Sequence, residues 1–240
     1  MIQHMNWKAY LAGDPADLRL LAEQFPAGSE PVVAENGDGQ YYLTSAELDH
    51  HADGLDLHAE AKKILIRLNA IGRLVSDAYL PVSLARKYEN SDDHVTHVLA
   101  IDDLVIRSSV ESVNLDGPGT SPASLPPGSE YMDIVTANRN AVDGVIRLLA
   151  AQNPGWVELY KVYELIGKEA ENRGLTFETV GGVSKAKSSA FRVSANREDI
   201  SGADARHAVS PGGDRPRRTM TSSEGRAFIR EVAINWLKSF

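Results

Sequence analysis

The densest collection of residues able to do chemistry in this chain is a run of Arg, Asn, Ser and His near its C-terminal end. Phe191-Arg192-Val193-Ser194-Ala195-Asn196-Arg197 is followed by Asp204-Ala205-Arg206-His207 and then by Arg215-Pro216-Arg217-Arg218. A His ordinarily titrates near neutrality, so it can give or take a proton while a neighbouring Arg holds phosphate. His207 with Arg206 and Arg197 is therefore a candidate catalytic set for metal-independent RNA cleavage. Lys185, Lys187, Arg192, Arg215, Arg217 and Arg218 are candidate contacts to a nucleic-acid backbone. The same residues also have a purely structural reading. Asn196, Arg197 and Arg206 would tie together a helix-loop-helix corner, and Arg215 to Arg218 would be a solvated loop.

Other chemistries find less support. The chain has no cysteine, which removes disulfides, thiolate nucleophiles and Cys-ligated metals. No Gly-rich phosphate loop of either common spacing occurs, and Gly117-Pro118-Gly119 precedes no helical pattern. A Ser nucleophile lacks a Gly-x-Ser-x-Gly elbow. His50, His51 and His58 stand among Glu47, Asp49, Asp53 and Asp56, but adjacent His50 and His51 point apart on a helix. His94 and His97 fall on opposite faces of a strand. The expectation is no metal and no cofactor. Met1 to Ala9 carries no apolar leader core, and no apolar run approaches the roughly 18 residues that span a bilayer. A cytoplasmic chain with no membrane partner is expected.

The elements that must position these residues follow from pattern. Asn6 to Ala12 predicts a strand, ended by Gly13, with Asp14 as N-cap and Pro15 opening a helix. Pro31 to Glu35 and Tyr41 to Leu43 flank Asn36-Gly37-Asp38-Gly39, a hairpin signal. From Asp56 to Val75, Leu57, Ala61, Ile64, Leu65, Leu68, Ile71 and Val75 keep one helical face. Tyr79 to Glu89, His94 to Ile101 and Asp103 to Val113 read as three further strands of an antiparallel meander.

Past a Pro- and Gly-rich stretch the periodicity turns helical. Tyr131 to Ala151 carries one apolar stripe, and Asn153-Pro154 predicts a new helix start. Gly181-Gly182 precedes a helix from Ser184 to Asn196, and Thr221-Ser222-Ser223-Glu224 is a capping box opening the last helix. The fold class expected is α+β: a small N-terminal mixed domain with antiparallel strands over 1–115, a flexible linker over 116–129, and an all-helical bundle over 130–240, with two separately packed interiors.

Charge is divided along the same line. The net charge of -8 over 240 residues splits into 9 basic against 19 acidic residues in 1–120, or -10, and 16 against 14 in 121–240, or +2. Any nucleic-acid face is thus expected late in the chain.

The C-terminal region resembles the HEPN-type helical bundles of bacteria. The residues that carry the likeness are Trp156-Val-Glu-Leu-Tyr160-Lys-Val-Tyr-Glu164, Ser194-Ala-Asn196, Arg206-His207-Ala208, Met220-Thr-Ser-Ser-Glu224 and Trp236-Leu237. The resemblance implies a bundle that commonly dimerises, and active members are metal-independent ribonucleases in toxin or antiviral defence settings. Their signature is Arg, four to six residues, then His, whereas nine residues separate Arg197 from His207 here. The leading expectation is a non-enzymatic interaction or sensor protein that self-associates, in a bacterial defence or stress setting. The alternatives are a metal-independent ribonuclease of HEPN type and a non-catalytic nucleic-acid-binding protein; the partner would be a second copy, another protein or RNA.

Overall fold

The computed structural model describes residues 6–51, 54–92, 95–98, 126–151, 153–202, 205–206 and 218–240. The N-terminal half builds on strand β1 (Lys8–Ala12), which ends where Asp14 accepts a hydrogen bond from the Ala16 N–H at 2.8 Å and Pro15 opens helix α1 (Pro15–Gln24). Strands β2 (Val32–Glu35) and β3 (Tyr41–Thr44) form the expected hairpin. Its turn is closed by the Asn36 side chain, which accepts from the Asp38 and Gln40 N–H groups at 3.0 and 2.9 Å. With β4 (Ser83–Glu89) and β5 (Val95–His97) they make a five-stranded antiparallel sheet in the order β2-β3-β1-β4-β5. The third meander strand expected over 103–113 lies outside the described residues.

Alternation sorts the sheet. Ala9, Leu11, Val33, Leu43 and Tyr88 face the core, while Lys8, Tyr10, Tyr42, Lys87 and Glu89 line the other side. Helix α2 (Gly54–Val75) covers the core face with the predicted stripe, Leu57, Ala61, Ile64, Leu65, Leu68 and Ile71 all buried. β4 begins later than Tyr79 because the residues before it follow a polar side chain instead of a strand. Buried Asn69 on α2 donates to the Val82 carbonyl at 2.9 Å, and its Oδ1 accepts from the Val82 N–H at 2.9 Å and the Tyr79 hydroxyl at 2.6 Å. Asn69 thereby imitates a strand partner for Val82.

The helical half departs from expectation at two joints. The stripe from Tyr131 to Ala151 is two helices, α3 (Pro127–Ala137) and α4 (Arg139–Leu149), broken where the Asn138 side-chain amide donates back to the Ile134 carbonyl at 2.9 Å. Helix α5 (Trp156–Asn172) is capped not by Asn153 but by Gly155, whose N–H donates to Glu158 at 3.0 Å. Helices α6 (Phe177–Gly181), α7 (Lys185–Asn196), α8 (Glu198–Ser201) and α9 (Ser222–Leu237) follow. Ser184 caps α7, and the predicted Thr221–Glu224 box caps α9.

The two halves share one apolar core, in place of the separate interiors that the change of periodicity suggested. It runs from Trp7, Leu21 and Phe25 through Leu68 to Val142, Trp156, Phe228 and Trp236. Helix α2 is the reason: one side meets the sheet and another meets α3, α4 and α9. Most of the expected linker lies outside the described residues. Its last residues are packed: the Gly128 N–H donates to Gln24 Oε1 at 3.0 Å, and the Ser129 hydroxyl donates to the Gln24 carbonyl at 2.7 Å. Glu47 clamps the same seam, pairing with Arg67 of α2 at 2.5 Å and with Arg139 of α4. Among the described residues, no helix is long and apolar enough to cross a membrane.

Candidate functional site

The sequence-predicted chemistry gathers at the C-terminal end of α7, and what holds that corner is a set of short-range polar bonds. The Ser194 hydroxyl accepts from the Met220 N–H at 2.6 Å, its carbonyl accepts from the Ser201 hydroxyl, and the Ala195 carbonyl accepts from the Arg206 N–H at 2.8 Å. Ser194-Ala195-Asn196 is therefore a staple joining α7, α8 and the entry to α9. The Asn196 amide donates to the Arg192 carbonyl at 2.8 Å, while its Oδ1 is buried with no hydrogen-bond partner among the described residues.

The two candidate phosphate-holding arginines described there are both engaged. Arg197 makes a two-pronged contact with Asp199, Nε to Oδ1 at 2.8 Å and Nη2 to Oδ2 at 3.0 Å. Arg206 reaches α5, pairing with Glu164 at 3.0 Å while its guanidinium lies 4.4 Å from the centre of the Tyr160 ring. His207, the candidate acid or base, lies outside the described residues, as do Arg215 and Arg217. Of the candidate backbone contacts, Lys187 pairs with Glu231 of α9. Lys185, Arg192 and Arg218 are exposed, and the seven-residue spacing of the first two puts them on one face of α7.

Beneath Arg206 lies an aromatic stack rather than an open apolar face. Phe191 sits 4.8 Å from Phe228, 5.7 Å from Trp156 and 6.3 Å from Tyr160, centre to centre, and Trp156 and Tyr160 are buried. Tyr163 joins through Phe177 at 4.1 Å, its hydroxyl hydrogen-bonded with Ser188 at 3.0 Å. These rings fix the mutual position of α5, α7 and α9.

The His cluster of the N-terminal half is dispersed. His50 ends a single 3-10 turn (Leu48–His50) rather than lying on a helix, and His58 contacts the Tyr88 hydroxyl through Nδ1 at 2.7 Å.

A second arrangement escaped the sequence reading because its parts lie far apart in the chain. At the C-terminal end of α2, Arg230 of α9 donates from Nε to the Leu74 carbonyl at 2.8 Å and from Nη2 to the Val75 carbonyl at 2.9 Å, with Nη1 3.0 Å from Asp77. These are the carbonyls a helix end leaves without an intrahelical partner, so Arg230 is a C-cap supplied from 156 positions away. Arg73 and Arg226 flank it, and together they border a cleft of about 230 Å³. The only sequence signal for it was the basic excess late in the chain.

Compared with known proteins, the chain matches no family model, no curated protein and no solved structure.

Proposed function

We propose that this chain is a non-enzymatic interaction or sensor protein. The observation that supports this reading is the commitment of Arg197 to Asp199 and of Arg206 to Glu164 and Tyr160. A phosphodiester-cleaving site needs cationic groups aimed at the substrate, and an Arg held by a carboxylate must break that pair to serve. The resemblance to HEPN-type bundles supports a bacterial defence or stress setting and a self-associating scaffold, and the nine residues between Arg197 and His207, against the family's four to six, support a scaffold without its chemistry. The test is incubation of the full chain with RNA in EDTA, beside His207→Ala. The expected result is intact RNA with both; cleavage by the wild type that is lost in His207→Ala overturns the reading in favour of a ribonuclease. Sedimentation at micromolar concentration tests self-association, and a strict monomer counts against it.

A second reading, nucleic-acid binding without chemistry, is favoured by one observation: exposed Lys185 and Arg192 share a face of α7, with Arg218 also exposed. It requires affinity for RNA that falls steeply with added salt, because each phosphate contact releases counterions. Binding indifferent to salt, or absent at low salt, rejects it.

A further inference from the structure

We propose that the outer face of α5 docks on the same face of a second copy of this chain, the two helices antiparallel about a two-fold axis at the level of Ile166. The proposal rests on the self-association in the reading above and deepens it by naming the surface.

The face is a stripe of Lys161, Glu164, Leu165, Lys168 and Glu171, all exposed, whose spacings of three and four set them along one side of the helix. Its charges are self-complementary. A two-fold axis between antiparallel helices brings residues equally far either side of it opposite one another. With the axis at Ile166, Lys161 meets Glu171 of the second copy and Glu164 meets its Lys168. A parallel arrangement in register would instead set each charge against its own kind.

Balance of charge favours this face over others. The chain carries a net charge of -8, so two copies repel wherever acidic surface meets acidic surface. The stripe sets two cations against two anions and adds nothing to that repulsion. Within the chain, Glu164 pairs with Arg206 at 3.0 Å and Lys168 with Glu171 at 3.4 Å. These pairs are no barrier to docking. The Glu164 side chain is 48% exposed and those of Lys168 and Glu171 71%, and ion pairs this open to water contribute little that a partner must overcome.

An apolar patch beside the stripe supplies what exposed charges alone do not. Leu165 is 41% exposed in mid-helix and leans on α4, where a Cβ added to Gly144 would lie 3.1 Å from its Cδ1. Half-buried Leu148 and exposed Ala141 continue the patch along the same side of α4. Rotation about an axis that crosses α5 leaves α4 on the same side in both copies. Leu165 of each copy then lies beside Leu165 of the other, and water leaves the apolar centre while the ion pairs form its rim.

The experiment is sedimentation velocity of the full chain at micromolar concentration. Wild type is compared with Lys161→Glu/Lys168→Glu, whose stripe is wholly acidic, with Glu164→Lys/Glu171→Lys, whose stripe is wholly basic, and with an equal mixture of the two. Circular dichroism checks that each variant is folded. The wild type should form a concentration-dependent dimer, and each variant alone should dimerise about ten-fold or more weakly. The mixture should recover a dimer, because unlike stripes are complementary again. The proposal is overturned if the acidic variant, which keeps the Arg206–Glu164 pair, dimerises like the wild type; that outcome leaves self-association standing on another surface. It is overturned also if the folded variants stay monomeric when mixed. A strictly monomeric wild type overturns it together with self-association, leaving the face to a different protein or to solvent, while the RNA assay decides the absence of chemistry independently.

Discussion

Asn69 offers the sharpest test of how the fold is held. It sits mid-helix on the buried side of α2, 7% exposed, and serves three groups at once: the Val82 N–H, the Val82 carbonyl and the Tyr79 hydroxyl. Val82 is 4% exposed and Tyr79 1% exposed, so water cannot replace what Asn69 supplies. Asn69→Ala strands all three and opens a small cavity. Each orphaned buried group costs about 1 to 3 kcal/mol, and since the three losses overlap, the total expected is about 3 to 5 kcal/mol. Tyr79→Phe removes a single donor and leaves Oδ1 still accepting from Val82, so it should cost only about 1 kcal/mol. Urea unfolding followed by circular dichroism measures both. With a slope near 3 kcal/mol per molar, the Asn69→Ala midpoint should fall by roughly 1 to 1.7 M. A loss under about 1 kcal/mol for Asn69→Ala, or equal losses for the two variants, would show that the loop before β4 is held by something else.

Four further outcomes follow from the same structure. Arg230→Ala removes two charge-assisted bonds to the α2 carbonyls; because the site borders solvent that can partly rehydrate them, the loss should be about 2 to 3 kcal/mol, and Arg230→Lys should recover less than half in the same urea assay. Gly225→Ala pits a helix-propensity gain of about 1 kcal/mol against overpacking of about 1 to 3, and the added Cβ would lie 2.7 Å from the buried Trp156 ring, so thermal unfolding should show net destabilisation. Burial opposes ionisation of Glu47, but Arg67 and Arg139 outweigh it and hold the carboxyl below its ordinary value of 4.5. Its stabilising contribution is then present above pH 4.5 and lost as pH falls through the lower folded value, so Glu47→Gln should be less stable at neutral pH, with the gap closing in acid; a gap constant with pH counts against this. Finally, one shared core requires one unfolding transition: Trp7 in the N-terminal half and Trp156 and Trp236 in the C-terminal half, isolated by Trp→Phe replacements, should report the same urea midpoint.

What could be read ahead was whatever depends on neighbours within a turn or two. Asp14-Pro15 and the Thr221–Glu224 box each cap the helix they were expected to cap, because a cap is a contact between residues two or three apart. The Asn36 hairpin is legible for the same reason. Asn138 breaks the stripe without disturbing its apolar period, and Gly155 displaced Asn153 as a cap because Glu158, three residues on, could reach its N–H. Of the candidate site, Ser194-Ala195-Asn196 was visible as a motif, but not its use as a staple.

Composition and periodicity alone settled that this chain pairs an antiparallel sheet with a mostly helical remainder, since alternation of two and of 3.6 are local properties of the backbone. Whether Arg206 faces a ligand or a carboxylate, whether Arg73 and Arg226 border one cleft, and whether one interior or two results were decided only by tertiary packing. Those answers depend on pairs such as Leu74 and Arg230, 156 positions apart, whose encounter is dictated by how α2 is sandwiched between sheet and bundle.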